Sequence, residues 1–255
     1  MNEDKDAPVG IFDSGVGGIS VLREAVRVLP HERYIYYGDT AYAPYGTKSA
    51  DEVLTRVLAI SDFLLARRIK ALVIACNTAT GVAAQALRER LQIPVIGMEP
   101  ALKPASEMRH GGSILVMATP VTLSQPKFLR LMGQYGEGAI ALPCPGLMEF
   151  VERGALHGSA LHAYLEDLFA PFRGRQIDCV VLGCTHYVFL REEIRSFFPD
   201  TTQVIDGNGG TIRQLKRRLE ENGVLRTSGE GVVVFVTSLS DPQNLQKMRA
   251  LMRLE

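Results

Sequence analysis

"KALVIACNTATGVAAQALRERL", residues 70–91, decides how the rest of the chain is read. Ala71 to Ala75 form an apolar run of the kind a buried strand needs, and the run ends on the thiol of Cys76. Asn77 and Thr78 come after it, both residue types that cap helix starts, and helical spacing of apolar residues then sets in. A thiol between a strand end and a helix N-terminus stands where open α/β sheets bind ligands. Read alone, Cys76 is either a small hydrophobe of the core or a thiol whose pKa, ordinarily about 8.5, is lowered by the helix start.

Working outward, the same alternation recurs. "PVGIFD" precedes "ISVLREAVRVL", "RYIYYGD" precedes a helix around "DEVLTRVLAISDFLLARR", and "IPVIGM" follows the opening stretch. Beyond a turn with two prolines near "GMEPALKPA" come "GSILVMAT", "GAIALPC", "DCVVLGC" and "TQVID", separated by helical stretches. Near-continuous apolar strands alternating with helices predict parallel sheet covered on both faces.

The chain also repeats itself. "IKALVIACNTA" aligns without a gap on "IDCVVLGCTHY", which sets Cys76 on Cys184. Upstream, "VGIFDSGVG" matches "ILVMATPVT", which sets Asp13 and Ser14 against Ala118 and Thr119. Matching blocks about a hundred residues apart imply two similar halves; a solenoid would repeat every 20–50 or so. The expected fold is therefore α/β: two similar parallel-sheet domains related by pseudo-two-fold symmetry, with the active site in the cleft between them. The first domain is expected over residues 1–98, completed by 208–255, because "VVVFVTSLS" and its helix have no counterpart; the second covers 99–207.

Bulk properties exclude several classes. Lysine plus arginine and aspartate plus glutamate each number 28, for zero net charge, so neither nucleic acid nor a membrane is an expected partner. The N-terminus "MNEDKDAP" has no apolar core of a signal peptide. Four cysteines without CxxC spacing suit neither a disulfide framework nor a zinc site. A reducing cytoplasm with free thiols is expected.

If two halves each carry a thiol at a strand end, the chemistry they suit is inversion of a stereocentre. One base removes a proton from one face, and the other delivers a proton to the opposite face. Cys184 has His186 two residues on, and both thiols are read as preceding a helix, which lowers a thiol pKa. Cys144 and Cys179 are read as structural. "FDSGVGG" (12–18) is a Gly-rich strand-to-helix turn without the spacing or lysine of a nucleotide cradle. Its amides suit a carboxylate instead. Asp13 is either the cap of that turn or an acid/base group, and Asp39, ending the strand of "YYGDTAYAPYG", has the same two readings. His31, His110, His157 and His162 fall in no motif and are read as surface.

"GIFDSGVGG", "YYGDTAYAPYG", "ACNTAT" and "LGCTHY", in this order, closely resemble the bacterial glutamate racemases, over nearly the whole chain. The resemblance implies a two-domain enzyme independent of pyridoxal phosphate and metal, interconverting L- and D-glutamate for peptidoglycan synthesis. By that likeness Cys76 acts on D-glutamate and Cys184 on L-glutamate. Asp13, Asp39, Glu152 and His186 match supporting acid/base positions. Ser14, Pro44, Tyr45, Gly46, Asn77, Thr78, Thr119, Thr122 and Thr185 match substrate contacts, with Asp13 and His186 counted among them. Two departures stand out: Glu149 where proline is common, and Ala118 in place of a glycine. Members of the family often form homodimers. Only a short segment precedes "VGIFD", so dependence on a cell-wall precursor as activator is not expected.

Three rival readings remain at the level of sequence. An aspartate racemase or related isomerase would use the same two thiols, and exchange of the α-proton of L-glutamate against L-aspartate in deuterated water separates them. A thiol redox protein would join Cys76 to Cys184 under mild oxidation. A non-catalytic ligand-binding module would have no use for paired thiols.

Overall fold

The apolar runs become parallel strands in a computed structural model that describes residues 3–254. The chain divides into two compact units, one of residues up to Met98 together with those from Asn208 onward, the other Glu99–Gly207.

The first unit runs α1 (Glu3–Asp6), β1 (Val9–Asp13), α2 (Ile19–Val28), β2 (Arg33–Gly38), α3 (Ala50–Leu65), β3 (Ala71–Ile74), α4 (Asn77–Arg90) and β4 (Val95–Gly97). The second contains α5 (Leu102–Glu107), β5 (Ser113–Ala118), α6 (Pro120–Ser124), α7 (Pro126–Tyr135), β6 (Ala139–Pro143) and α8 (Leu147–Glu152). It continues through α9 (Ser159–Phe169), β7 (Ile177–Leu182), α10 (Arg191–Arg195) and β8 (Gln203–Asp206). The chain then returns to the first unit with α11 (Asn208–Glu221), β9 (Val232–Thr237) and α12 (Pro242–Met252).

The first sheet has the order β4-β3-β1-β2-β9 and the second β6-β5-β7-β8, with every pairing parallel. Matching β1 to β5, β2 to β6, β3 to β7 and β4 to β8 makes the two orders the same. The correspondence reaches single hydrogen bonds. Ala75 N–H donates to the Phe12 carbonyl at 2.7 Å, and at the aligned position Gly183 N–H donates to the Met117 carbonyl at 2.7 Å. In each sheet the strand order reverses between the two strands so joined, β1 and β3 in one and β5 and β7 in the other. Crevices at such reversals, beyond the carboxyl ends of the strands, are where open α/β sheets bind ligands.

Burial explains the apolar runs. All five residues of β1 and all four of β3 are buried, as central strands covered on both faces must be. One side of the first sheet packs Phe12, Leu72 and Ile74 against Val53, Val57, Ile60 and Leu64 of α3 and Ala83 and Leu87 of α4. In the second unit Ile114, Val116, Cys179 and Val181 pack on Leu102 and Phe128. Cys179 is thus core filler, and burial, then the charge of Asp178, pushes its pKa up to about 12.

At the other end of the first sheet, a buried ion pair joins the starts of two strands. Lys70 Nζ lies 2.6 Å from Glu32 Oε2 and donates to the Val224 carbonyl at 2.9 Å. The other oxygen of Glu32 accepts the Arg226 N–H at 2.9 Å, so both partners anchor the segment that leads into β9.

Helix starts obey local chemistry. Ser49 Oγ accepts Glu52 N–H at 3.2 Å while Ser49 N–H donates to the Glu52 carboxylate at 2.9 Å, a reciprocal capping box opening α3. Ser49→Ala is expected to cost about 1 kcal/mol, the usual loss of an N-cap, seen as a lower urea midpoint. An unchanged midpoint would show that the box contributes nothing.

Candidate active site

In the first unit the site is built at the ends of β1 and β3. Cys76 is the N-cap of α4, with extended backbone, and its Sγ accepts Ala79 N–H at 3.4 Å. The thiol donates toward Ser14 Oγ at 3.8 Å, and Cys76 is buried at 7% exposure. An amide at the start of a helix stabilises a thiolate, so this sulfur stands where its charged form is favoured. Next to it, Asp13 Oδ2 accepts Gly15 N–H at 3.2 Å and Gly18 N–H at 3.0 Å, pulling the Gly-rich turn tight before α2. Gly18 is required there: a Cβ would stand 2.6 Å from Asp13 Cβ.

Asn77 and Thr78 are buried in the first turn of α4, and Asn77 Oδ1 has no hydrogen-bond partner among the described residues. A buried amide oxygen in that state is an acceptor open to a ligand donor. Asp39, just past β2, is fully buried and bonded to Tyr45 and Arg56. Pro44 and Gly46 are half-buried in the same segment, with a cis peptide between Ala43 and Pro44.

In the second unit the ends of β5 and β7 carry the matching groups. Cys184 lies two residues past the end of β7, as Cys76 does past β3, but the next segment differs from the expected α-helix. Residues Thr185–Leu190 form a 3₁₀ helix, and the Cys184 side chain makes no cap hydrogen bond to it. Instead His186 turns its imidazole back: Nδ1 lies 3.6 Å from Cys184 Sγ, and Nε2 lies 2.8 Å from Glu152 Oε1. One thiol is therefore served by a helix amide and the other by an imidazole.

Burial works against charge on the His186 ring, yet its hydrogen bonds to Cys184 and Glu152 prevail and hold its pKa well above the usual value. The ring is 1% exposed, so this cation is stabilised by partners rather than water. Glu152 ends α8, and Glu149 lies in the first turn of that helix, where a carboxylate suits the N-terminal dipole. The change from the family's proline therefore leaves Glu152 in place against His186.

Thr119 caps α6, accepting Thr122 N–H at 3.2 Å and donating to Thr122 Oγ1 at 2.9 Å. Thr119, Thr122 and Thr185 are all buried. Gly183 lets β7 lie close against β5, since a Cβ there would meet the Met117 carbonyl oxygen at 2.7 Å. Cys144, after β6, occupies the place in its sheet that Asp39 holds in the other: its N–H donates to Ala118 as that of Asp39 donates to Asp13. Burial, then the neighbouring Cys184, pushes the Cys144 thiol far up, so it stays protonated.

The structure thus brings Cys76, Ser14 and Asp13 together in one unit, and Cys184, His186 and Glu152 in the other. Arg56 is the residue of this region that sequence reading passed over. It reaches Asp39 from α3 across 17 positions, with no local spacing to announce it. No cluster of three or more potential metal-ligating side chains occurs among the described residues.

Duplicated parallel sheets, each with a thiol and its hydrogen-bonded neighbours at the point of strand reversal, define a two-unit α/β enzyme. The family model for Asp/Glu/Hydantoin racemase matches residues 14–215, and the chain belongs to that family. It is 47% identical over 260 residues to the glutamate racemase of Clostridium perfringens (strain 13 / Type A), covering 100% of both chains. Among solved structures it resembles glutamate racemase from Francisella tularensis in complex with D-glutamate, with a TM-score of 0.84 at 27% identity, covering 98% of this chain and 95% of that one. It also resembles Escherichia coli glutamate racemase in complex with L-glutamate and the activator UDP-MurNAc-ala, with a TM-score of 0.85 at 29% identity, covering 97% and 94%.

Proposed function

We infer that this protein interconverts L- and D-glutamate by a two-base proton transfer at Cα, and that the D-glutamate supplies peptidoglycan synthesis. The observation that carries the mechanism is the pair of thiols at equivalent positions of two sheets with the same strand order. Cys184 as thiolate takes the α-proton of L-glutamate, and Cys76 as thiol gives a proton to the opposite face; the reverse reaction exchanges the roles. The amide of Ala79 favours the thiolate of Cys76 and the His186 imidazolium that of Cys184. Glu152 supports the charge on His186.

The open acceptor on Asn77 suits the substrate ammonium, whereas the Gly15 and Gly18 amides of the Gly-rich turn are taken by Asp13 and not left for a carboxylate. Ser14, Thr78, Thr119, Thr122 and Thr185 supply further hydroxyls, with Pro44, Tyr45 and Gly46 forming part of the same substrate surface. All four cysteines are free, which fits a reducing cytoplasm, and no described helix is long and apolar enough to cross a membrane.

Circular dichroism of purified protein with either enantiomer, without added cofactor, tests this reading. The rotation of L-glutamate and of D-glutamate should decay to the same racemic endpoint. Persistence of either signal, or faster turnover of aspartate, would refute the assignment.

A further inference from the structure

We propose that Arg56 is a positioning residue of the Cys76 half-site: through Asp39 it holds the segment 39–47, with Pro44, Tyr45 and Gly46, in the form that receives substrate. This rests on the racemase reading above and assigns Asp39 the work of an anchor rather than of an acid or base. The Asp39 side chain is 0% exposed, and a buried carboxylate is tolerated only with full compensation. Three donors supply it. Arg56 Nε donates to Oδ2 at 3.0 Å and Nη2 to Oδ1 at 2.8 Å, the two-pronged fit of a guanidinium to a carboxylate. Tyr45 Oη donates to Oδ2 at 2.6 Å, and burial, then this hydrogen bond to Asp39, holds the phenol pKa up.

The guanidinium also lies 3.6 Å from the ring centroid of Tyr42, a cation–π contact. One side chain on α3 therefore holds Asp39, Tyr42 and, through Asp39, Tyr45. Backbone bonds pass the constraint on: Asp39 N–H donates to the Asp13 carbonyl at 2.9 Å, and Tyr42 N–H to the Asp39 carbonyl at 2.9 Å. Asp13 is the residue beside Ser14, toward which the Cys76 thiol points. Both oxygens of Asp39 are thus committed to holding the segment.

Arg56→Gln leaves Asp39 a buried charge without a cation, and the cheapest relief is to open 39–47 to water. KM for both enantiomers is expected to rise about tenfold while kcat falls much less and both limbs of its pH profile stay in place. Arg56→Lys, which restores the charge but neither the fork nor the stacking, should lie between. Asp39→Asn, which keeps an acceptor for Tyr45, should also retain kcat and both limbs. Amide hydrogen exchange of the unliganded proteins gives an arm independent of activity: Arg56→Gln should speed exchange over 40–47 while 77–90 stays protected. Unchanged exchange over 40–47, an unchanged KM, or loss of a pH limb with collapse of kcat in Asp39→Asn overturns the proposal. An inactive wild-type protein would instead refute the racemase reading, with exchange still deciding whether Arg56 anchors the segment. If Arg56→Gln does not fold, Arg56→Lys and Tyr42→Ala carry the same comparison.

Discussion

Cys76→Ala and Cys184→Ala are each expected to lower racemisation of either enantiomer by at least about 10²–10⁴-fold, the range of general acid–base catalysis. Inversion needs one group to remove the proton and a second to replace it, so neither thiol can stand in for the other. The fold should survive both changes. At Cys184 the sulfur caps nothing, so its removal leaves the 3₁₀ turn intact. At Cys76 the sulfur also accepts the Ala79 N–H, and its loss is expected to cost about 0.5–2 kcal/mol of helix capping. Cys76→Ser separates the two duties. Serine caps a helix start well but is far too weak an acid to supply an oxyanion base here, so this variant should match wild-type thermal stability and remain inactive. Substantial racemisation by any of the three, measured by circular dichroism, would end the two-thiol mechanism.

The parallel strands and their pairing into two sheets of like order were legible because buried strands write themselves as apolar runs, such as "GIFD" and "ALVIA". The gapless match of residues 69–79 to 177–187 already implied corresponding strands, and the paired bonds of Ala75 and Gly183 are its physical counterpart. The segment after each of these strands was less legible. Cys76 and Cys184 stand in aligned positions, yet one opens a 14-residue α-helix and the other a 3₁₀ turn. In the 3₁₀ turn His186 finds its second partner in Glu152, 34 positions away, which no local pattern encodes. Arg56 was hidden for the same reason. Local spacing reports helices, strands and caps, whereas the charges that compensate a buried Asp39 or His186 come from other elements.

His186→Asn is expected to lower kcat/KM about 10²-fold in both directions while moving the primary isotope effects of the two enantiomers in opposite senses. The His186 pKa is raised on folding because, against the cost of burial, its bonds to Cys184 and Glu152 favour the imidazolium. Asparagine keeps a donor near the sulfur but removes the cation that favours the thiolate. The equilibrium constant between mirror images fixes the ratio of overall kcat/KM values, so steady-state rates must fall together, and the asymmetry has to be sought in isotope effects. With α-deuterated L-glutamate, abstraction by Cys184 becomes more fully rate-limiting and the primary effect on kcat/KM should grow. With α-deuterated D-glutamate, abstraction by Cys76 precedes a slower reprotonation from Cys184, so the primary effect should shrink. Glu152→Gln tests the charge itself. Because the folded pKa of His186 is raised, its contribution to stability is fully present below the unfolded value of about 6.5 and is lost as pH rises through the folded value. Removing the Glu152 charge lowers that folded value, so both the alkaline loss of stability and the alkaline limb of kcat should move to lower pH. Equal changes in the isotope effects of both enantiomers in His186→Asn would detach His186 from Cys184, and an unmoved alkaline limb in Glu152→Gln would remove Glu152 from its support.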